Sequence, residues 1–365
     1  MAVCAAGLFL NGSESLAATT SKKAPERPAA TQSQKKAATA QPSPAVKLSP
    51  AQIETLQKLQ AQHKGSNYRS GPDIAKLSAE NMDPVLVGYN IVFSPKWLAY
   101  INDGNDGVTR EQFTRWRKNA EHIYDTYKDL TGRAPLSGEK IFVSIETTLV
   151  SEEDREAPAY YVGNSVVWFK PGNDGKFTKR HMDQIREGRW GDTTMAHEMA
   201  HAFASRSKWE AEAETLAVFM QAYAAECAPG LNKAPGKKYR NEQYAMALKA
   251  YTDGNIPAFK HYGGGALDLY LFGILEATNW VVIKKALHSY LPKNKAQFTP
   301  KNYEEIIIEH ANPYNSKKPS KDGYVDRARE LLDRIAFFHG DEKVLRSLPD
   351  NGKLLDKYFS PKVKD

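Results

Sequence analysis

Between residues 109 and 131, apolar side chains recur at steps of three and four: Phe113, Trp116, Ala120, Ile123, Tyr127 and Leu130. That period places them on one face of a helix. Thr109 and Gln112 have the spacing of a capping box, and Thr131-Gly132 supplies the stop. Strand-like runs surround this helix. Val85 to Phe93 predicts one strand and Ile141 to Ile145 a second. Tyr160 to Val162 and Val166 to Phe169 predict a pair joined across Gly163-Asn164, a hairpin turn signal. The Gly-, Pro- and Asn-containing run Pro171 to Gly175 closes the region. Upstream, Ser49 and Pro50 read as an N-cap and first helical position, with Ile53, Leu56 and Leu59 on the helix that follows.

From Asp192 onward the pattern is helical almost to the end. It predicts helices over 192–204, 208–227, 240–252, 265–278, 280–290, 302–311 and 323–338, with Pro and Gly between them. The expected class is α+β: a mixed sheet with helices in the N-terminal half and an all-helical C-terminal half. There is no internal repeat, and no run reaches the roughly 18 apolar residues of a membrane helix.

Composition divides the chain further. Residues 2–10 are apolar and Ser15-Leu16-Ala17 offers a small-residue cleavage site, so 1–18 reads as a signal peptide without the usual charged start. Residues 19–48 are rich in Ala, Pro, Ser, Thr, Gln and Lys and read as a flexible linker. The expected units after it are a catalytic region over 49–228 and a helical region over 229–365. The expected location is secreted or periplasmic.

With 41% hydrophobic and 10% aromatic residues, the body is that of a globular protein. The net charge of +7 does not point to nucleic acid. Lys22, Lys23, Arg27, Lys35, Lys36 and Lys47 against Glu14 and Glu26 place most of the excess in the leader and linker, and no nucleic-acid module pattern follows. Of the two cysteines, Cys4 lies in the leader and Cys227 stands alone, which excludes a disulfide scaffold and a Cys-ligated zinc site in the body.

The chemistry concentrates at His197-Glu198-Met199-Ala200-His201. On a helix, positions i and i+4 lie about 40° apart around the axis and one turn apart along it. His197 and His201 therefore present two imidazoles on one face, spaced to share a zinc ion. Glu198, beside the first of them, is placed to serve as general base and then acid for a water at that ion. Asp192-Thr193-Thr194 supplies an N-cap cluster ahead of the motif, and Met195, Ala196, Met199, Ala200 and Phe203 supply apolar packing. A catalytic zinc takes a third protein ligand. On the next helix Trp209, Ala213, Leu216, Met220 and Tyr223 form an apolar stripe, with Glu210 and Glu214 on one flank and Glu212 towards the other. The wheel leaves all three carboxylates open.

This arrangement resembles the gluzincins, zinc peptidases in which a Glu on a following helix completes the metal site. Within residues 192–225 it is similar to the lethal-factor-like branch, where that Glu sits in a Glu-x-x-Ala pattern. Glu212-Ala213-Glu214-Thr215-Leu216-Ala217 matches with Glu214 at the ligand position, although Thr215 and Leu216 replace aromatics and only twelve residues separate His201 from Glu214. The resemblance implies a zincin-like fold, zinc held by His197, His201 and Glu214, and hydrolysis of a protein or peptide substrate. It also implies an edge strand along the cleft, for which Tyr160 to Val162 and Val166 to Phe169 are the candidates.

His261 and Tyr262, before Gly263-Gly264-Gly265, are candidate donors to the oxyanion of the transition state. His122, His181, His288, His310 and His339 show no ligand spacing. Asn102 to Gly107 fails as a calcium loop, because Phe113 stands at the twelfth position where Glu is required. Two alternatives to a peptidase are a non-catalytic zincin-like binding protein of the cell envelope and a zinc hydrolase of a non-protein amide bond.

Overall fold

Ser49 and Pro50 start the first helix, α1 (Pro50–Gln62), where the sequence predicts it. The Ser49 hydroxyl accepts from the Gln52 amide at 3.3 Å, and the Gln52 side chain accepts from the Ser49 amide at 2.9 Å. Two donors that a helix start leaves orphaned are thereby satisfied. Leu56 and Leu59 are buried. The computed structural model describes residues 47–62, 74–101, 107–135, 140–146, 159–162, 165–169, 176–190, 193–204, 210–228, 231, 236–252, 264–290, 331–332, 334–341 and 343–344. The leader, nearly all of the linker, the calcium-like run 102–106 and the helix expected over 302–311 lie outside the described residues.

The strand expected over Val85 to Phe93 is shorter than its apolar run. Only Ile91–Phe93 pairs as a strand, β1, and Pro84–Leu86 forms a 3-10 turn instead. The Asp83 carboxylate accepts from the Val85 amide at 2.9 Å. Pro84 sits at the start of that turn, where a missing N–H costs nothing. The chain then doubles back at Gly88, whose amide donates to the Ile91 carbonyl at 2.9 Å. A Cβ at Gly88 would run into the Glu121 carboxylate. Local capping chemistry overrides the hydrophobic run here.

Helix α2 (Arg110–Thr131) carries the predicted capping box in both directions, and Gly132 ends it in the left-handed conformation at φ 69°. All six periodic apolar positions are buried. β2 (Ile141–Glu146), β3 (Ala159–Val162) and β4 (Ser165–Phe169) complete a sheet of order β1–β2–β4–β3. β1 and β4 each run parallel to β2, whereas β3 pairs antiparallel to β4 with Val162 opposite Ser165. The pairing of β3 with β4 is the one the sequence predicts, and among the described residues it leaves β3 at the edge of this sheet.

Helix α3 (Lys176–Glu187) does not stand out in the sequence. Charged residues dominate it, and Met182 and Ile185 are the apolar residues it buries among its described side chains. It packs against α2. The downstream helices follow the pattern: α4 (Thr194–Ala204), α5 (Glu210–Cys227), α6 (Gly236–Thr252), α7 (Gly264–Ala277) and α8 (Trp280–Tyr290). Residues 331–332 and 334–339, at the C-terminal end of the last predicted helix and one residue beyond it, are also helical. The chain is thus mostly helical with a small mixed sheet, an α+β arrangement. Among the described residues no helix is long and apolar enough to cross a membrane.

Rings fill the space between sheet and helices. Phe93, Trp97, Phe113, Trp116 and Trp190 are fully buried, and Trp116 stacks on Trp190 with centroids 4.7 Å apart. Each indole N–H finds a carbonyl: Trp97 donates to Val143, Trp116 to Arg189 and Trp190 to Trp116. Aromatic area is buried there without stranding a donor.

The link between α2 and β1 is polar. Glu121 accepts from the amides of Asn90 and Ile91 at 3.0 Å and from the Asn90 side chain at 3.1 Å. Burial outweighs those hydrogen bonds and raises the Glu121 carboxyl above its ordinary pKa. A carboxyl with a raised folded-state pKa contributes its relative stability below its unfolded value, about 4.3, and loses it as pH rises through the folded value. In urea titrations, Glu121→Gln should therefore gain stability relative to the parent as pH rises from about 4 towards neutrality. A difference that stays flat over that window would contradict the assignment.

Candidate metal centre

α4 has no exposed face: every residue from Met195 to Ala204 is buried. Ala196, Ala200, Ala202 and Ala204 keep its surface narrow, and it packs most extensively against α5, with α2, β3 and β4 on other sides. The wheel of α5 predicts a stripe, but Thr215 to Val218 and Phe219 to Ala225 are buried or half-buried around the whole helix. α5 is enclosed by α2, α4, α6 and α7, so its alanines serve close packing instead of a polar face.

Both ends of α4 are tied down. Thr193 caps the start, its hydroxyl accepting from the Ala196 amide at 3.4 Å and donating to the Trp190 carbonyl at 2.6 Å. Gln221 on α5 donates to the Thr193 carbonyl at 2.9 Å and accepts from the Tyr239 hydroxyl of α6 at 2.8 Å. One chain of hydrogen bonds thus joins three helices just before His197. Tyr127 on α2 donates to the Ala196 carbonyl at 2.9 Å. Complete burial pushes the Tyr127 phenol well above its ordinary pKa, which keeps it a donor. At the other end the buried Arg133 guanidinium donates to the Phe203 carbonyl, placing a cation where the helix presents unpaired acceptors.

α5 is anchored from the opposite side. Tyr223 donates to the Asp129 carboxylate of α2 at 2.9 Å, and Lys284 of α8 pairs with the same group. The Lys284 ammonium, aided by the Tyr223 hydroxyl, holds the Asp129 carboxyl below its ordinary pKa.

Between these anchors His197, Glu198 and His201 come together. One nitrogen from each imidazole and one Glu198 oxygen all lie within 4.8 Å of one another. His201 Nε2 stands 3.9 Å from Glu198 Oε2. The imidazole rings are 4.9 Å apart and nearly perpendicular at 88°. His197 and His201 are each 6% exposed and Glu198 1%, so the cluster is an interior one. Two imidazoles and a carboxylate gathered at this spacing could hold a metal ion. From the edge strand, Tyr161 lies nearly parallel to His201, with centroids 6.2 Å apart and planes at 22°.

The other predicted site residues are placed only in part. Glu210, Glu212 and Glu214 fall on the first turns of α5, but their side chains lie outside the described set. His261 and Tyr262 lie outside the described residues altogether. Of the two strands expected along the cleft, β3 takes the edge position and β4 lies between β2 and β3.

Four supporting residues escape sequence reasoning. Gln221 leaves a trace as one polar residue inside an apolar helix. Tyr127 reads only as core, while Arg133 and Tyr161 carry no local signal, because their partners lie far away in the chain. Compared with known proteins, the chain matches no protein-family model and no curated protein.

Tyr127→Phe removes a buried hydrogen bond while the Ala196 carbonyl stays within the α4 ladder, so it should lower unfolding free energy by about 1 kcal/mol. Chemical denaturation measures this directly. An unchanged midpoint would show that the Tyr127 bond does not anchor α4.

Proposed function

We propose that this chain is a zinc-dependent peptidase of the gluzincin type, with His197 and His201 as metal ligands and Glu198 as general base and acid. The observation that carries the reading is the convergence of these three buried side chains on one helix. Glu214, on the first turns of α5, is the proposed third ligand. A zincin-like fold is the proposed architecture around the site.

When bound, zinc supplies a Lewis acid that polarises the scissile carbonyl and makes water more acidic. The roles of the chain's own groups follow from their placement. The imidazoles of His197 and His201 orient the donor set, their rings held at 88° to each other. The Glu198 carboxylate, next in sequence to the first ligand, takes a proton from the attacking water and returns it to the leaving amine. A peptide extended along β3 would pair with the edge of the sheet and present its backbone to the cluster. His261 and Tyr262 are the proposed donors to the developing oxyanion. The apolar segment 2–10 supports an exported, secreted or periplasmic protein.

Glu198→Gln keeps the side-chain shape and both imidazoles but removes the proton acceptor. Its turnover on a casein substrate should fall about a hundred- to ten-thousandfold, with zinc still bound at one ion per chain. Chelator treatment should silence the parent. A Glu198→Gln variant as active as its parent would sink the mechanism. Stoichiometric zinc with chelator-sensitive cleavage of a cell-wall amide, and none of casein, would move the same site to a non-protein substrate.

A further inference from the structure

We propose that Tyr161 is a positioning residue for His201, setting the plane of that imidazole for the metal; this rests on the metal reading above. The two rings lie 22° from parallel with centroids 6.2 Å apart, within the range of offset stacking. Contact through the face does not use the edge of the imidazole, where both nitrogens lie. His197 meets the same imidazole at 88°. His201 is therefore bounded on two sides by rings of different orientation, and swinging its plane would disrupt both contacts.

The location of Tyr161 gives this contact its weight. β3 is an edge strand held to the rest of the sheet through β4, with Tyr161 opposite Val166. β3 and α4 pack directly against each other. Strand and metal-binding helix thus meet at the Tyr161–His201 contact. Binding a dication draws electron density from the imidazole and strengthens its attraction to the face of an electron-rich phenol ring. The ring consequently favours the metal-bound state over the metal-free one. An aliphatic side chain of similar bulk fills the space but lacks that preference.

The test uses the full chain and its Tyr161→Phe, Tyr161→Leu and Tyr161→Ala variants. Zinc affinity is measured by competition with a chromophoric chelator, geometry by the visible absorption of the cobalt(II)-substituted protein, and folding by thermal melting without metal. Tyr161→Phe should match the parent in affinity and spectrum. Tyr161→Leu and Tyr161→Ala should bind zinc about tenfold more weakly, as loss of an outer-sphere partner does, and should shift the cobalt bands. Leucine at parental affinity with a parental spectrum overturns the proposal, as does a phenylalanine variant as impaired as alanine. If the alanine variant does not fold, the leucine and phenylalanine variants decide by the same criteria. A parent that binds neither zinc nor cobalt fails at the metal reading itself, and the role of Tyr161 falls with it.

Discussion

A helix buried on every side is a costly place for two imidazoles and a carboxylate, and the organisation of this protein follows from that constraint. Side chains that ionise lose most of their hydration in such a position. Three donors converging there gain most from a cation held among them. His197, Glu198 and His201 occupy three of the ten buried positions from Met195 to Ala204, and the other seven are apolar. The presence of those three polar side chains is the physical basis for the proposed metal chemistry.

Holding such a helix in register takes more than apolar contact. Thr193, Gln221 and Tyr239 fix its start, Tyr127 grips the carbonyl just before His197, and Arg133 closes its end. These anchors come from α2, α5, α6 and the segment after α2, so three neighbouring helices contribute to fixing the helix that carries the two imidazoles. A metal centre demands ligand placement to within a fraction of an ångström. Rigid elements tied at both ends supply it better than loops do.

Much of this was legible in the sequence, for identifiable reasons. α2 could be read because its capping box, period and terminal glycine all agree, and α4 because Thr193 precedes an apolar run carrying the His-Glu motif. The β3–β4 hairpin followed from one turn signal between two apolar runs. Elsewhere one local force outweighed another. At Val85 the Asp83–Pro84 cap turned an apolar run into a 3-10 turn, and at α3 charge density hid a short apolar face. α5 looked one-sided on a wheel because periodicity cannot count the neighbours that enclose a helix. The supporting groups Arg133, Tyr127 and Tyr161 were illegible for a different reason: each acts on a partner about forty to seventy residues away.

The central claim is that His197 and His201 hold a metal ion in the interior of the protein. X-ray absorption at the zinc edge, on the purified full chain loaded with one equivalent of zinc, tests it most directly. The expected result is a four-coordinate first shell with two imidazole nitrogens at about 2.0–2.1 Å and oxygen completing the set. His201→Ala should lose one of the two imidazole contributions. Zinc that fails to bind, or a shell without imidazole, would rule out a metal centre at His197 and His201.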